Sequence, residues 1–402
     1  MSAPPPILPN PLAGDPPAAL GVLGGGQLGR MFVHAAQTLG YATVVLDPDP
    51  ACPAGQASER HIRAGYDDPA ALNELAALTQ AITTEFENVP AQTLAALART
   101  RRVAPGAEAV AIAQDRRLEK AHFSRCAAQG GVAPAPYAVI ETEADLAAAP
   151  ANLLPGILKT ARLGYDGKGQ ARVGTRAELS AAWAGMNRAP CVLEQMLPLA
   201  LECSVIVARG RDGQTVSLPV QRNLHRGGIL AVTEVYEANV PLALAARAQQ
   251  ASLTIADELA YVGVLCVEFF VLTDGTLVVN EMAPRPHNSG HYSIDACDLS
   301  QFELQVRALA GLPLTQPRQH SAAVMLNLLG ELWLNADNRG RPRPPPWPQV
   351  LALPGAHLHL YGKTDARPGR KMGHLSFTGA SAHEARARAL QAAELLGLES
   401  WP

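Results

Sequence analysis

Two acidic residues, Glu268 and Glu281, lie within apolar segments on either side of a Thr-Asp-Gly-Thr sequence. Asp-Gly is a strong β-hairpin signal, so placing Asp274-Gly275 at the two central turn positions predicts that Glu268 faces Glu281 and that Phe270 faces Val279. Directly opposed side chains have Cβ atoms about 5 Å apart, where two carboxylates repel each other. A divalent cation removes this repulsion, and oxygen ligands favour Mg2+ over Zn2+. The pattern predicts a magnesium site; the alternative is a solvent-facing acidic pair.

A second group of residues could bind a nucleotide. Lys159 ends an apolar strand, and the sequence Gly-Tyr-Asp-Gly-Lys-Gly-Gln over 164–170 follows it. The glycines of this loop allow backbone N–H groups to approach phosphates, and Lys168 adds positive charge. The segment Val192–Leu197 could offer backbone groups to adenine, and Glu202 could bind ribose hydroxyls. The alternatives are a surface turn and a buried interdomain strand.

Two further motifs suit a phosphorylated substrate. A Gly-x-Gly-x-x-Gly sequence over 24–29 follows a strand and precedes a helix, and Asp47 ends the next strand. This pattern fits a dinucleotide fingerprint. Hydride-transfer chemistry is not evident downstream, so we prefer a phosphorylated substrate at the helix N-terminus. Lys363 and Arg370-Lys371 form a cationic group suited to a phosphate monoester, with a solvated basic loop as the alternative.

The elements that must position these residues change character along the chain. Strands alternate with helices up to residue 114, which predicts a parallel sheet covered on both faces. Longer strands and hairpins follow, so the fold class is α/β and α+β. We predict a disordered Pro-rich tail over 1–17, a Rossmann-like domain over 18–114, a central domain over 115–314 and a small β-rich domain over 315–402. A Pro-rich loop occupies 341–348.

The composition limits the possible functions. A net charge of -3 provides no broad basic surface, so nucleic-acid binding is not expected. The six cysteines are scattered without a CxxC pair, which disfavours a zinc motif and a disulfide framework. We find neither a secretory signal nor an apolar run that could span a bilayer. We therefore expect a soluble cytoplasmic protein without a membrane partner.

Several motifs, taken in order, carry a family resemblance. They are GGGQLGRM (24–31), TTEFENVP (83–90), GYDGKGQ (164–170), NLHRGGIL (223–230), NEMAPRPHNSGH (280–291) and RPGRKMGHL (367–375). Together they resemble the ATP-grasp superfamily and, within it, the N5-carboxyaminoimidazole ribonucleotide synthase family. The resemblance implies an ATP-grasp fold with an N-terminal Rossmann-like (pre-ATP-grasp) domain and a small C-terminal β-rich domain.

The resemblance also implies the roles of individual residues. Magnesium is assigned to Glu268 and Glu281, and catalytic roles to Tyr165, Asp166, Lys159 and Glu85. The residues implied for ATP are Arg116, Lys159, Gly164, Tyr165, Asp166, Gly167, Lys168, Gly169, Gln170, Glu194, Gln195, Met196, Leu197, Glu202, His225, Asn280 and Glu281. The residues implied for the ribonucleotide are Gln27, Leu28, Glu85, Arg285, His287, Asn288, Ser289, Lys363, Arg370 and Lys371.

The implied activity is a ligase reaction of de novo purine biosynthesis. Bicarbonate and ATP form carboxyphosphate, which carboxylates the exocyclic amine of 5-aminoimidazole ribonucleotide and leaves ADP and phosphate. Mg2+ is the expected metal, Mn2+ is able to substitute, biotin plays no part, and a homodimer is expected. The alternatives are a formate-dependent phosphoribosylglycinamide formyltransferase, whose flap has Ser-Ser-Ser-Gly-Lys-Gly, and, from other classes, a nicotinamide oxidoreductase or a non-catalytic nucleotide-binding module.

Overall fold

The computed structural model describes residues 4–10, 12, 14–164, 168–334 and 344–402 of the chain. Three residues with predicted roles, Tyr165, Asp166 and Gly167, lie outside the described residues. Part of the predicted Pro-rich loop over 341–348 also lies outside them.

The first part of the chain forms a parallel sheet of order β3-β2-β1-β4-β5. Its apolar strands are buried because helices cover the sheet. The strands are β1 (Ala19–Leu23), β2 (Ala42–Leu46), β3 (Arg60–Ile62), β4 (Ala81–Thr84) and β5 (Arg102–Val103), and the helices are α1 (Gln27–Thr38), α2 (Pro69–Leu78), α3 (Ala91–Leu97) and α4 (Ala107–Ala113). The alternation of strands and helices predicted this arrangement.

An antiparallel sheet of order β6-β9-β7-β8 follows. Asp115 caps the helix that precedes this sheet by accepting a hydrogen bond from the Arg117 amide. The strands are β6 (Tyr137–Ile140), β7 (Gly156–Thr160), β8 (Gln170–Val173) and β9 (Cys191–Gln195), and the helices are α5 (Arg116–Ala128), α6 (Glu143–Ala148) and α7 (Arg176–Gly185), with a 3-10 turn over Ala151–Leu153.

A large sheet joins the central and C-terminal parts in the order β15-β14-β10-β12-β13-β16-β18-β17, with β11 paired to β10. The C-terminal strands therefore extend the central sheet. The strands are β10 (Leu199–Arg209), β11 (Thr215–Ser217), β12 (Gln221–Arg226), β13 (Ile229–Val235), β14 (Gly263–Leu272), β15 (Leu277–Ala283), β16 (Ala322–Leu329), β17 (Ala356–Leu360) and β18 (Lys371–Gly379). The helices are α8 (Leu242–Glu258), α9 (Ser293–Ala296), α10 (Gln301–Ala310), α11 (Glu331–Leu334), α12 (Trp347–Leu351) and α13 (Ala382–Leu396), with a 3-10 turn over Asn288–Gly290.

The β14–β15 hairpin confirms one part of the predicted register and contradicts another. Glu268 faces Glu281, as predicted. Phe270 faces Val278, however, and the predicted pairing of Phe270 with Val279 is wrong. The two carboxylates meet although the pairing next to the turn is displaced by one residue.

Two irregularities with opposite effects explain this result. The Leu272 amide donates to the Thr276 carbonyl at 2.8 Å, so the turn contains three residues rather than the predicted two. Gly275 has a φ of 82°, the left-handed conformation that such a turn requires. A β-bulge between Glu268 and Phe269 then shifts the register back by one residue.

Part of the Pro-rich N-terminal segment packs against the first sheet. The Ile7 amide donates to the Ala310 carbonyl at 2.8 Å, and the Tyr41 hydroxyl donates to the Ile7 carbonyl at 2.6 Å. Ile7 also contacts the apolar cluster beneath α1. These contacts differ from the predicted disordered tail because Ile7 gives the segment an apolar anchor.

In the part of the chain that the structure describes, no helix has the length and apolar character needed to cross a bilayer.

Candidate active site

A cleft of about 990 Å³ opens where the first domain, the central sheets and β18 meet. Most of the residues predicted to bind nucleotide, metal or ribonucleotide line it. They are Gln27, Leu28, Glu85, Arg116, Lys159, Gly164, Lys168, Gly169, Gln170, Glu194, Gln195, Met196, Leu197, Glu202, His225, Glu268, Asn280, Glu281, Arg285, His287, Asn288 and Lys371. Pockets for small ligands commonly reach this size, and this one is rich in charged side chains.

The paired glutamates are both held in the ionised form. Glu281 Oε2 accepts a hydrogen bond from Arg116 Nη1 at 2.9 Å, and Glu268 Oε1 lies 3.0 Å from His287 Nε2. Burial by itself would raise both pKa values, but nearby cations outweigh it. Arg116 and Lys159 lower the pKa of Glu281 to about 2, and His287 lowers that of Glu268. The hairpin thus presents two carboxylates to the cleft.

These donors fit a hard divalent cation. Asn280 precedes Glu281 on β15, and its Oδ1 is buried without a hydrogen-bond partner among the described residues. Cys266 is close enough to Glu268 and His287 to complete a three-residue group. Burial, however, raises the pKa of the Cys266 thiol well above its usual value, so it stays a neutral and poor metal ligand. The carboxylate and amide oxygens therefore favour Mg2+ over a thiophilic metal.

A buried carboxylate holds two lysines beside the acidic pair. Glu194, at the end of β9, accepts a hydrogen bond from Lys159 Nζ at 3.0 Å and lies 3.2 Å from Lys120 Nζ. Lys120 Nζ also donates to the Asn280 carbonyl at 2.8 Å. Although burial opposes ionisation, the two lysines lower the pKa of Glu194 to about 2. The arrangement concentrates positive charge where phosphate oxygens could bind.

Sequence reasoning missed Lys120. A lysine in a polar helical segment normally faces solvent, yet this side chain is fully buried. The spacing of the residues gave one indication that Lys120 belongs to the site: it lies four residues after Arg116 and therefore on the same face of α5. Glu119 was missed as well: its Oε1 accepts a hydrogen bond from the Met282 amide at 2.7 Å, and burial raises its pKa to about 7.

The link after β9 leaves one amide available to a ligand. The Gln195 amide donates to the Pro136 carbonyl at 2.9 Å, and the Met196 amide donates to the Pro155 carbonyl at 3.0 Å. Among the described residues, the Leu197 amide has no acceptor. Of the three N–H groups in this link, only that of Leu197 is therefore available, among the described residues, for the predicted contact with adenine.

His225 and Glu202 form an ion pair across neighbouring strands at the edge of the cleft. His225 Nδ1 lies 2.6 Å from Glu202 Oε2. Burial opposes protonation, but Glu202 and the nearby Glu268 raise the pKa of His225 to about 9. His225 is therefore cationic at neutral pH. Glu202 retains exposed surface that a hydroxyl group could reach.

The glycine-rich turn before α1 binds a side chain of the protein itself. Glu85 accepts hydrogen bonds from the Gly26 amide at 2.5 Å and from the Gly29 amide at 2.7 Å. A Cβ atom at Gly26 would overlap the Glu85 carboxylate. The glycines therefore make room for Glu85, and the expectation that these two N–H groups hold a substrate phosphate is wrong. Burial raises the pKa of Glu85.

Asp47 is likewise engaged within the protein. Its carboxylate accepts hydrogen bonds from the Gly25 amide and the Tyr66 hydroxyl at 2.6 Å each, and from the Asp49 amide at 2.8 Å. A dinucleotide-binding protein would leave this acid free for the ribose hydroxyls. The structure thus weakens the nicotinamide alternative.

Ser289 was predicted to bind substrate, but the structure buries it beneath the site. Its side chain is 0% exposed, and its hydroxyl contacts Ser204 Oγ at 2.8 Å and His287 Nδ1 at 2.9 Å. Because these partners satisfy the hydroxyl, Ser289 orients His287 and does not line the cleft. The prediction that Ser289 binds substrate directly is therefore wrong, and the residue supports His287 instead.

The predicted cationic group lies at the end of the cleft near α1. Lys363 Nζ donates to Gln27 Oε1 at 2.7 Å and to the Lys371 carbonyl at 2.8 Å. Burial and the neighbouring Arg370 lower the pKa of Lys363 to about 8. Arg370 Nη1 donates to the Asp365 carbonyl at 2.6 Å. Neither Lys363 nor Arg370 lines the cleft itself, so both border it beside Lys371.

Arg285 is fixed by an acid from the first domain. Its Nε donates to Glu87 Oε2 at 2.6 Å, and the mutual attraction lowers the pKa of Glu87 despite burial. Glu87 was also missed from the sequence, although it stands within the TTEFENVP motif. Asn288 has both amide atoms buried without a partner among the described residues, which suits a group that binds a ligand.

Three family models match successive segments of the chain. Residues 18–114 match the ribonucleotide synthetase preATP-grasp domain, residues 125–302 the ATP-grasp domain, and residues 323–388 the phosphoribosylaminoimidazole carboxylase C-terminal domain. The first matched segment contains the parallel sheet, and the large sheet is shared between the second and third segments.

Relatives and solved structures agree over nearly the whole length. An N5-carboxyaminoimidazole ribonucleotide synthase from Brucella melitensis is 45% identical over 90% of this chain and 96% of its own. The Staphylococcus aureus synthetase with ADP has a TM-score of 0.84 and 36% identity, covering 93% of this chain and 96% of its own. The Aspergillus clavatus enzyme with ADP and 5-aminoimidazole ribonucleotide has a TM-score of 0.84 and 30% identity, covering 94% and 98%. The chain therefore belongs to the N5-carboxyaminoimidazole ribonucleotide synthase family of ATP-grasp ligases.

Proposed function

We propose that this protein is a cytoplasmic, homodimeric ligase that uses ATP and bicarbonate to carboxylate the exocyclic amine of 5-aminoimidazole ribonucleotide. The products are N5-carboxyaminoimidazole ribonucleotide, ADP and phosphate. One observation carries the proposal: the paired carboxylates, Lys159 and a separate cationic group border the same cleft. The names of the relatives support the choice of substrates.

The nucleotide is assigned to the half of the cleft between the two central sheets. The Leu197 amide would meet the adenine edge, and Glu202 would accept hydrogen bonds from ribose hydroxyls. Lys159 would meet the phosphates, since charge-assisted hydrogen bonds to phosphate are strong. Mg2+, held by Glu268 and Glu281, would offset the charge of the triphosphate.

The ribonucleotide is assigned to the half of the cleft near α1. Its phosphate monoester would bind Lys363, Arg370 and Lys371, a set of cations that suits a dianion. Glu85, anchored by the glycine turn, would face the exocyclic amine. Because burial raises its pKa, Glu85 is a stronger proton acceptor than an exposed glutamate.

The proposed reaction has two steps. A bicarbonate oxygen attacks the γ-phosphorus of ATP, the bond to the bridging oxygen breaks, and ADP leaves. The positively charged side chain of Lys159, near the end of β7, stabilises the charge on the phosphoryl group that is transferred. The amine then takes the carboxyl group from carboxyphosphate, phosphate leaves, and Glu85 accepts the amine proton. We assign Tyr165 and Asp166, which lie outside the described residues, to orienting bicarbonate and the amine.

The formate-using alternative predicts a different dependence on substrates. ADP release is measured with MgATP in carbon-dioxide-depleted buffer, with bicarbonate and 5-aminoimidazole ribonucleotide added separately and together. We expect ADP release to require both, and labelled bicarbonate to enter the ribonucleotide product. Glu281→Gln is the matched inactive control. ADP release stimulated by formate and glycinamide ribonucleotide, with no response to bicarbonate, would overturn the proposal.

A further inference from the structure

A tight turn between β12 and β13 borders the nucleotide half of the catalytic cleft. Arg226 faces Ile229 across the ladder, so Gly227 and Gly228 are the two central residues of the turn. Their φ angles of 57° and 81° are the left-handed values that such a hairpin turn requires. Both glycines line the cleft, as does the neighbouring His225, whereas Arg226 does not. Because the glycines have no side chain that could hold the turn, its position depends on the residues that flank it.

Arg226 is anchored on the side of the hairpin away from the cleft. Successive side chains of a strand point to opposite faces, so the backbone that directs His225 into the cleft directs Arg226 away from it. Arg226 Nη1 donates to the Glu399 carbonyl and Nη2 donates to the Ser400 carbonyl, at 2.7 Å each. Its Nε also lies 3.3 Å from Glu399 Oε2, but that side chain is 78% exposed. An ion pair so exposed adds little, and the two carbonyl contacts are therefore the anchor.

Residues 399–402 are themselves fixed to the other strand of the hairpin. Trp401 is buried and packs in an apolar cluster that includes Val232 of β13. Its Nε1 donates to Glu234 Oε1 at 2.8 Å, and Arg386 Nε donates to the same oxygen at 3.0 Å. Glu234 also lies on β13. The segment therefore contacts both strands of the hairpin, and the carbonyls that hold Arg226 have a fixed position.

We propose that Arg226 is a positioning residue for the nucleotide. Its contacts with residues 399–400 hold His225 and the glycine turn against ATP. This role depends on the proposed function, which assigns ATP to this half of the cleft. Arg226 itself touches no substrate, so its loss acts by reducing the fraction of molecules whose hairpin is in the binding position. A hairpin that occupies this position for only about a tenth of the time would bind nucleotide about tenfold more weakly.

The experiment measures the Kd of MgADP by calorimetry with the full-length protein, because nucleotide binding does not require carboxylation to occur. Arg226→Gln should raise this Kd about 5- to 10-fold. Arg176→Gln is the matched control, since Arg176 also donates to three main-chain carbonyls but does not line the cleft. Glu399→Gln removes the carboxylate and keeps both carbonyls that hold Arg226. Each control should change the Kd less than about twofold.

A second measurement separates positioning from a general loss of stability. A chain that ends at Leu398 lacks both carbonyls, so it should bind MgADP as weakly as Arg226→Gln. Adding Arg226→Gln to this shortened chain should change the Kd less than about twofold, because both changes remove the same contact. Thermal unfolding shows whether each protein is folded. If the shortened chain does not fold, the comparison of Arg226→Gln with Arg176→Gln decides by itself.

Three results would overturn the proposed role of Arg226. They are MgADP binding by Arg226→Gln within twofold of wild type, equal weakening in Arg176→Gln, and fully additive effects in the shortened chain. Failure of the proposed function gives a different result. A wild-type protein that binds MgADP but releases no ADP with MgATP, bicarbonate and 5-aminoimidazole ribonucleotide would refute the proposed function alone.

Discussion

Lys363 offers a sharp test of the ribonucleotide site because its environment sets both its charge and its position. Its Nζ is held by Gln27 Oε1 and the Lys371 carbonyl, and burial together with Arg370 lowers its pKa to about 8. At neutral pH the group is a cation with one donor still available. Lys363→Ala removes that cation and leaves the nucleotide half of the cleft unchanged.

The size of the effect follows from the type of contact. A hydrogen bond to a charged group contributes about 1.5–3 kcal/mol, so Lys363→Ala should raise the KM for the ribonucleotide about 10- to 100-fold. The pH dependence has a defined sign. Because only the protonated amine binds the phosphate well, the wild-type KM should rise up to about tenfold per pH unit above about pH 8. The variant lacks this group and should lack this rise.

The assay is steady-state ADP release at varied ribonucleotide concentration between about pH 6.5 and 9.5, with ATP and bicarbonate saturating. Ionisation of the substrates affects wild type and Lys363→Ala equally, so the ratio of their KM values at each pH removes this contribution. Arg367→Ala is the matched control, since Arg367 is exposed and pairs with Asp365. Its KM should change less than about twofold. An unchanged ribonucleotide KM in Lys363→Ala, or an equal rise in the KM for ATP, would refute the reasoning.

Three further variants test other parts of the site. Glu281→Gln should reduce ATP turnover, measured as ADP release, at least about 100-fold, because it removes a carboxylate that binds the metal but preserves the shape of the side chain. The circular dichroism spectrum should stay unchanged, and turnover near wild type would contradict the metal assignment. Ser289→Ala should lower the free energy of unfolding by about 1 kcal/mol in denaturant titration, through the lost Ser204 contact, and leave the ribonucleotide KM within twofold. Gly26→Ala should cost about 1–3 kcal/mol of stability, because its Cβ would overlap Glu85; wild-type stability would show that the turn tolerates a side chain.

The order of strands and helices was accessible from the sequence because hydrophobic periodicity reports it directly. Register was less accessible. Asp-Gly predicts a tight turn but does not distinguish a two-residue turn from a three-residue turn with a left-handed Gly275. The apolar sequence around Glu268 gives no signal for the bulge beside it. The pairing of Glu268 with Glu281 was therefore predicted correctly although the turn was not, because the two irregularities compensate.

Residues whose roles depend on distant partners were the hardest to assign. Lys120 could not be recognised as buried, since its partners Glu194 and Asn280 come from strands far along the chain. The glycine turn resembled a phosphate loop because glycine selection looks the same whether the close neighbour is a ligand or Glu85. Ser289 belongs to a motif in which most of the other residues line the cleft. The local sequence indicates where the backbone must pack closely against a neighbour, but only the fold shows which group that neighbour is.

The balance of charge in the cleft explains why it suits a nucleotide accompanied by a cation. Lys120 and Lys159 share one carboxylate, Glu194, so this side of the cleft has more basic than acidic side chains. Glu268 and Glu281 lie opposite each other and carry two negative charges, which the nearby basic side chains hold in the ionised form. A triphosphate alone would meet repulsion from the glutamates, and a divalent cation alone would meet repulsion from the lysines. Bound together, each compensates the charge that opposes the other, so the arrangement selects the complex of the two.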